Sequence, residues 1–160
     1  MSASQPSKVV PWVAGLAFVW AGMSLGVCFL ASPVKFAAPS LSMTTALEVG
    51  RLTFAAFHKV QGVLALVLVG MLAVWGTRKG WLLGGGVIAL WVAQVVGIMP
   101  VLDRQTAAVL QGGSTAMTLL HFGYVGAETL KLALLIALAV VATRAQTRCA
   151  AGPRNGWRSS

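Results

Sequence analysis

The sequence predicts an all-α membrane protein, a four-transmembrane-helix bundle with the N and C termini cytoplasmic, and three observations carry that expectation. Hydrophobic residues make up 58% of the 160 positions and charged ones 9%, where a soluble domain carries roughly a quarter charged. Four apolar stretches are each long enough, at ~1.5 Å of rise per residue, to cross a hydrocarbon core of ~30 Å. Most cations stand at one set of stretch ends, as positive-inside topology requires.

The first span is expected over residues 9–31, an uncharged run of 23 residues. A cleaved signal core has only ~7–15 apolar residues, so this run reads as a retained helix. The connection SPVKFAAPSLSMTT follows, and its Pro33, Pro39 and three serines are expected to end that helix. Thr45-Ala46-Leu47-Glu48 fits the capping-box pattern, which starts helix two near Thr45, ahead of a span over 52–76. The third span, 81–102, contains a single polar residue, Gln94. Asp103-Arg104-Gln105 is then expected to pair locally and turn the chain; the alternative is a lid over a cavity. The fourth span covers 117–143. Residues 1–143 thus form one transmembrane domain, and 144–160 a basic cytoplasmic tail without regular structure.

Orientation follows from Lys8, Arg78, Lys79, Arg144, Arg148, Arg154 and Arg158, which all fall on one side. Trp12, Trp75 and Trp81 mark the same boundary, where indole rings prefer to sit. The expected location is a bacterial inner membrane. The net charge of +9 therefore speaks for lipid headgroups and insertion, and nucleic acid is excluded because no basic stripe interleaved with aromatics lies outside the spans. Cys28 and Cys149 belong to opposite sides and cannot pair within one chain. Gly22-x3-Gly26 and Gly80-x3-Gly84 are spacings that let helix backbones approach, within the chain or between copies.

The unusual chemistry lies in two polar stripes. On helix two Glu48, Arg51, Ala55, His58 and Gln61 recur at three- and four-residue intervals, and on helix four His121, Tyr124, Glu128 and Lys131 do the same. Counting rise from Arg78 and Arg144 puts His58 and His121 at similar heights, about 30 and 35 Å, near the outer boundary. Glu128 and Lys131 fall deeper. A charge there costs about 2.5–3.5 kcal/mol on insertion scales, so both should face the bundle interior and each other, or a hydrated pocket.

His58 and His121, joined by Cys28 and Met99 at comparable depth, are the candidate metal ligands, a donor set suited to copper. No HxxxH or CxxC spacing marks a site, so a metal ion is the candidate cofactor and haem is disfavoured.

The segments ASPVKFAAPS, ALEVGRLTF and HFGYVGAETLKL resemble those of small bacterial inner-membrane proteins distantly similar to the four-helix family of transmembrane protein 205. The resemblance spans about residues 10–143. It implies a four-helix membrane bundle with a role in handling metals or xenobiotics, and brings no catalytic residues. The functional expectation is a binding protein for a small polar or metal ligand. His58 and His121 would contact it, Glu128 and Lys131 would set the charge, Tyr124 would donate a hydrogen bond, and Gln61, Glu48 and Arg51 would complete the wall. The alternative is a structural or accessory subunit, as a homo-oligomer or in a larger membrane complex. An enzyme ranks third, since no nucleophile–base pair or phosphate cradle is visible.

Overall fold

The computed structural model describes residues 8–112 and 119–150. Four helices, each with a stretch long and apolar enough to cross a membrane, account for nearly all of them: α1 (Val10–Phe36), α2 (Met43–Trp75), α3 (Arg78–Leu110) and α4 (Leu119–Ala150). The chain is an integral, multi-pass helical membrane protein.

The helices form a ring in which α1 packs on α2, α2 on α3, α3 on α4 and α4 back on α1, leaving α2 and α4 on a diagonal. The tightest seam is α1 against α4. Ala14, Ala17 and Ala21 from one side and Ala139 and Ala142 from the other lie in the same buried cluster, and small side chains permit that approach. Around them Val10, Val13, Trp20, Leu68, Leu72, Val87, Leu135 and Leu138 fill the half of the bundle nearest the termini. The α2–α3 seam depends on glycine. A Cβ at Gly84 would stand 2.5 Å from Leu72 Cδ1, and one at Gly80 would stand 2.8 Å from the Trp75 ring. Gly22 and Gly26 meet nothing within 4 Å, so of the two expected glycine pairs only Gly80/Gly84 serves packing inside the chain.

Several boundaries depart from expectation for identifiable reasons. Pro33 does not end the first helix. The turns before it widen into a π-helix over Leu25–Ala31, and the α-helix resumes from Ser32 to Phe36. α3 repeats the device, with a π-helix over Gln94–Ile98 immediately before Met99 and Pro100. A proline lacks the N–H and crowds the carbonyl four residues back, so a wider turn lets the helix continue through it. At the first site Ser32 Oγ also donates to the Val27 carbonyl at 3.0 Å.

For the same reason Asp103-Arg104-Gln105 does not turn the chain: helix continues to Leu110, and no ion pair joins Asp103 to Arg104. Helix two starts earlier than its capping-box spacing implies. Ser42 is the N-cap, its hydroxyl accepting from the Thr45 N–H at 3.2 Å, and Glu48 is left outside the motif. Residues 144–150 belong to α4 rather than to an irregular tail. The expected start of span four at Met117 and tail residues 151–160 lie outside the described residues.

Candidate functional site

Four amide and charged side chains meet at the centre of the bundle, all wholly buried: Gln61 from α2, Gln94 from α3, and Glu128 and Lys131 from α4. Lys131 Nζ lies 2.8 Å from Glu128 Oε2 and donates to Gln94 Oε1 at 2.8 Å and Gln61 Oε1 at 3.2 Å. An ammonium has three protons, so this one is fully satisfied. Gln94 Nε2 donates to Glu128 Oε2 at 2.9 Å, closing the network across three helices. The i, i+3 spacing puts acid and base on one face, and lipid leaves them no other low-energy direction than inward.

The network is not complete. Glu128 Oε1, Gln61 Nε2 and the hydroxyl of buried Ser24 on α1 have no hydrogen-bond partner. Cys28, Tyr124 and Ser24 all adjoin Glu128. Tyr124 Oη lies 3.3 Å from His58 Nε2, bridging the diagonal, and packs edge-on against Phe54 at 5.5 Å between ring centroids.

Above this polar layer opens a cavity of about 540 Å³, on the side of the bundle away from the termini. Glu128, Tyr124, Cys28 and Met99 border its deep part. Phe29, Phe36, Phe54, Leu102, Val109 and Val125 make most of its wall apolar, with Lys35, Arg51, Asp103, Gln105 and His121 among the polar residues around them. His121 is seven residues, about 10 Å of helix, shallower than Glu128. The π-helical stretch of α1 borders this space through Cys28 and Phe29, whereas that of α3 contributes no lining residue and only Met99, just beyond it, reaches the wall. Below Lys131 the bundle is dry and closed by Leu68, Leu72, Leu135 and Leu138.

The two stripes expected from the sequence therefore meet different fates. Tyr124, Glu128, Lys131, His58 and Gln61 are buried and linked; Arg51 and His121 are exposed on the cavity lining; Glu48 is exposed and outside it. His58 and His121 do not come together. His58 engages Tyr124 and borders a smaller cleft between α2 and α3, while His121 lines the larger cavity. Among the described residues no three His, Cys, Asp or Glu side chains are placed to hold a metal ion, so the expected His58, His121, Cys28 and Met99 set is not assembled.

Sequence reasoning did not place Gln94, Ser24 or Lys35 in the site. Gln94 had a signal, being the one polar residue in an otherwise apolar span. Ser24 and Lys35 had none, because their roles depend on which way α1 faces. Comparison with family models, curated proteins and solved structures finds no match to the chain.

Proposed function

We propose that the protein binds a small, largely apolar organic molecule in the cavity, where Glu128 accepts a hydrogen bond from it. The carrying observation is a cavity of about 540 Å³ with a mainly apolar wall and the Glu128 carboxylate at its closed end; Glu128 Oε1 is enclosed beside the Ser24 hydroxyl and the Cys28 thiol, which a ligand must displace to reach it. Volumes of ~300–1,000 Å³ with few convergent polar groups are typical of small-molecule sites. A ligand N–H or O–H that reached the Glu128 oxygen would make a charge-assisted hydrogen bond, worth about 1.5–3 kcal/mol. The π-helix of α1, which lines the space through Cys28 and Phe29, adds support, since such bulges recur at functional sites.

This reading moves the expected ligand from polar or metal toward organic. Resemblance to the transmembrane protein 205-like group implies handling of metals or xenobiotics, and an apolar wall suits the second. With Lys8, Arg78, Lys79, Arg144 and Arg148 all at the terminal end, we take that end as cytoplasmic and the cavity as opening outward, in a bacterial inner membrane.

The test is small-molecule extraction and mass spectrometry of protein purified from native membranes. A molecule retained one-to-one by the wild type should be lost from Thr106→Trp, which fills the cavity, while thermal stability is kept. Equal retention by both would reject the cavity as the site. A second reading, in which the polar layer only holds the bundle together, is favoured by the full satisfaction of Lys131. It predicts an empty cavity and a stoichiometric protein partner in a pull-down.

A further inference from the structure

Lys35 lies in α1, four residues past the end of the π-helix, and its ammonium is closely seated. Nζ lies 5.0 Å from the Phe36 ring centroid and 5.5 Å from that of Phe54 on α2. Beneath it is Gly50. A Cβ at that position would collide with Lys35 Nζ, and the other atom it would approach, Cε at 3.2 Å, belongs to the same side chain. The two rings and the bare glycine backbone thus form a cradle fitted to the ammonium, which the ring faces attract through their quadrupoles.

Among the described residues this cation has no ion-pair partner. The chain has three acidic residues, Glu48, Asp103 and Glu128, and the one ion pair among the described residues is Glu128 with Lys131. Lys35 makes no hydrogen bond there either. Both Lys35 and Gly50 border the cavity, with the Arg51 guanidinium on the same lining; Asp103 is the one acid there besides the neutralised Glu128. A pre-positioned ammonium with unspent donors, at the edge of an apolar space, is arranged for an anion attached to an apolar body.

We infer that the cavity's ligand is an anionic amphiphile, whose carboxylate or phosphate is held by Lys35 in the Phe36–Phe54–Gly50 cradle while its apolar body reaches toward Glu128. The inference rests on the cavity reading above and specifies the chemistry of the ligand's outer end.

The test uses full-length protein in nanodiscs of phosphatidylcholine, with two molecules of one chain length that differ only at one end: 10-hydroxydecanoate and 1,10-decanediol. Each presents a hydroxyl to Glu128, and only the first carries an anion. Calorimetric titration corrected for empty discs should show wild type preferring the hydroxy acid by about tenfold, the scale of one charge-assisted hydrogen bond. Lys35→Met should abolish the preference, bringing hydroxy-acid affinity down to that of the diol in the same variant. Gly50→Ala, which keeps the charge and removes the cradle, should reduce it several-fold. A preference that survives in Lys35→Met overturns the inference, as does equal binding of both molecules by wild type. Inorganic phosphate binding as tightly as the hydroxy acid would show a free-anion site and overturn the amphiphile. If neither molecule binds wild type, the cavity reading falls, and this inference with it.

Discussion

Lys131 shows how a charge is tolerated at the centre of a bilayer protein. Three acceptors from three helices surround its ammonium, one of them a carboxylate. Removing one partner of a buried pair leaves an uncompensated charge and costs about 3–5 kcal/mol, whereas replacing both with apolar groups of similar shape is often neutral. Lys131→Met and Glu128→Leu should therefore each lower the melting temperature in detergent sharply, and the double variant should recover most of the loss. Equal losses for the double and the singles would mean that the pair is not coupled. Tyr124→Phe removes a weaker link, the 3.3 Å contact to His58, and should cost about 0.5–1.5 kcal/mol in the same assay.

Helix boundaries are set by local chemistry that competes with the apolar pattern. α2 starts at Ser42 because its hydroxyl reaches the Thr45 N–H. Ser42→Ala should cost about 1 kcal/mol and speed hydrogen exchange in the first turn, while Glu48→Ala, which the capping-box spacing would make important, should leave exchange unchanged. Along the seam of α2 and α3, Gly84→Val should destabilise by about 1–3 kcal/mol through overpacking against Leu72, read in the same melting assay. Gly22→Val, which meets nothing, should be silent in the monomer. In α1 and α3 the π-helix and the proline act as one device. Each widened turn lets the helix pass its proline and keeps residues such as Lys35 and Asp103 on helical wall beside the cavity.

The whole molecule is a cup: an open, partly polar half over a dry, closed one. Among the described residues the fill of Leu68, Leu72, Val87, Leu135 and Leu138 leaves no polar route to the terminal end, so a ligand bound in the cavity as proposed would be held there and not conducted. In oriented vesicles of a cysteine-free background, His121→Cys should react with a membrane-impermeant maleimide from one face only. Leu138→Cys should react from neither. Labelling of Leu138→Cys would reveal a water-filled path that the packed half does not contain.

Most of this architecture was legible in composition and spacing, because a bilayer admits few solutions. Backbone groups must be satisfied within each segment, so apolar runs of this length become helices. Charges inside them must turn inward, so Glu128 and Lys131 were found together and buried. Rotation and pairing between helices were not legible. Rise along an axis gives the depth of a histidine and not its azimuth, so His58 and His121, matched in height, face different spaces. Likewise the cradle of Lys35, Gly50, Phe36 and Phe54 joins residues with no common period, and the role of Gln94 needed α3 to stand beside α4. The sequence by itself determined that four helices cross a membrane and which charges must hide. Only the tertiary structure decided which side chains they meet, because that depends on helix packing, and packing is settled by the shapes of all four faces at once.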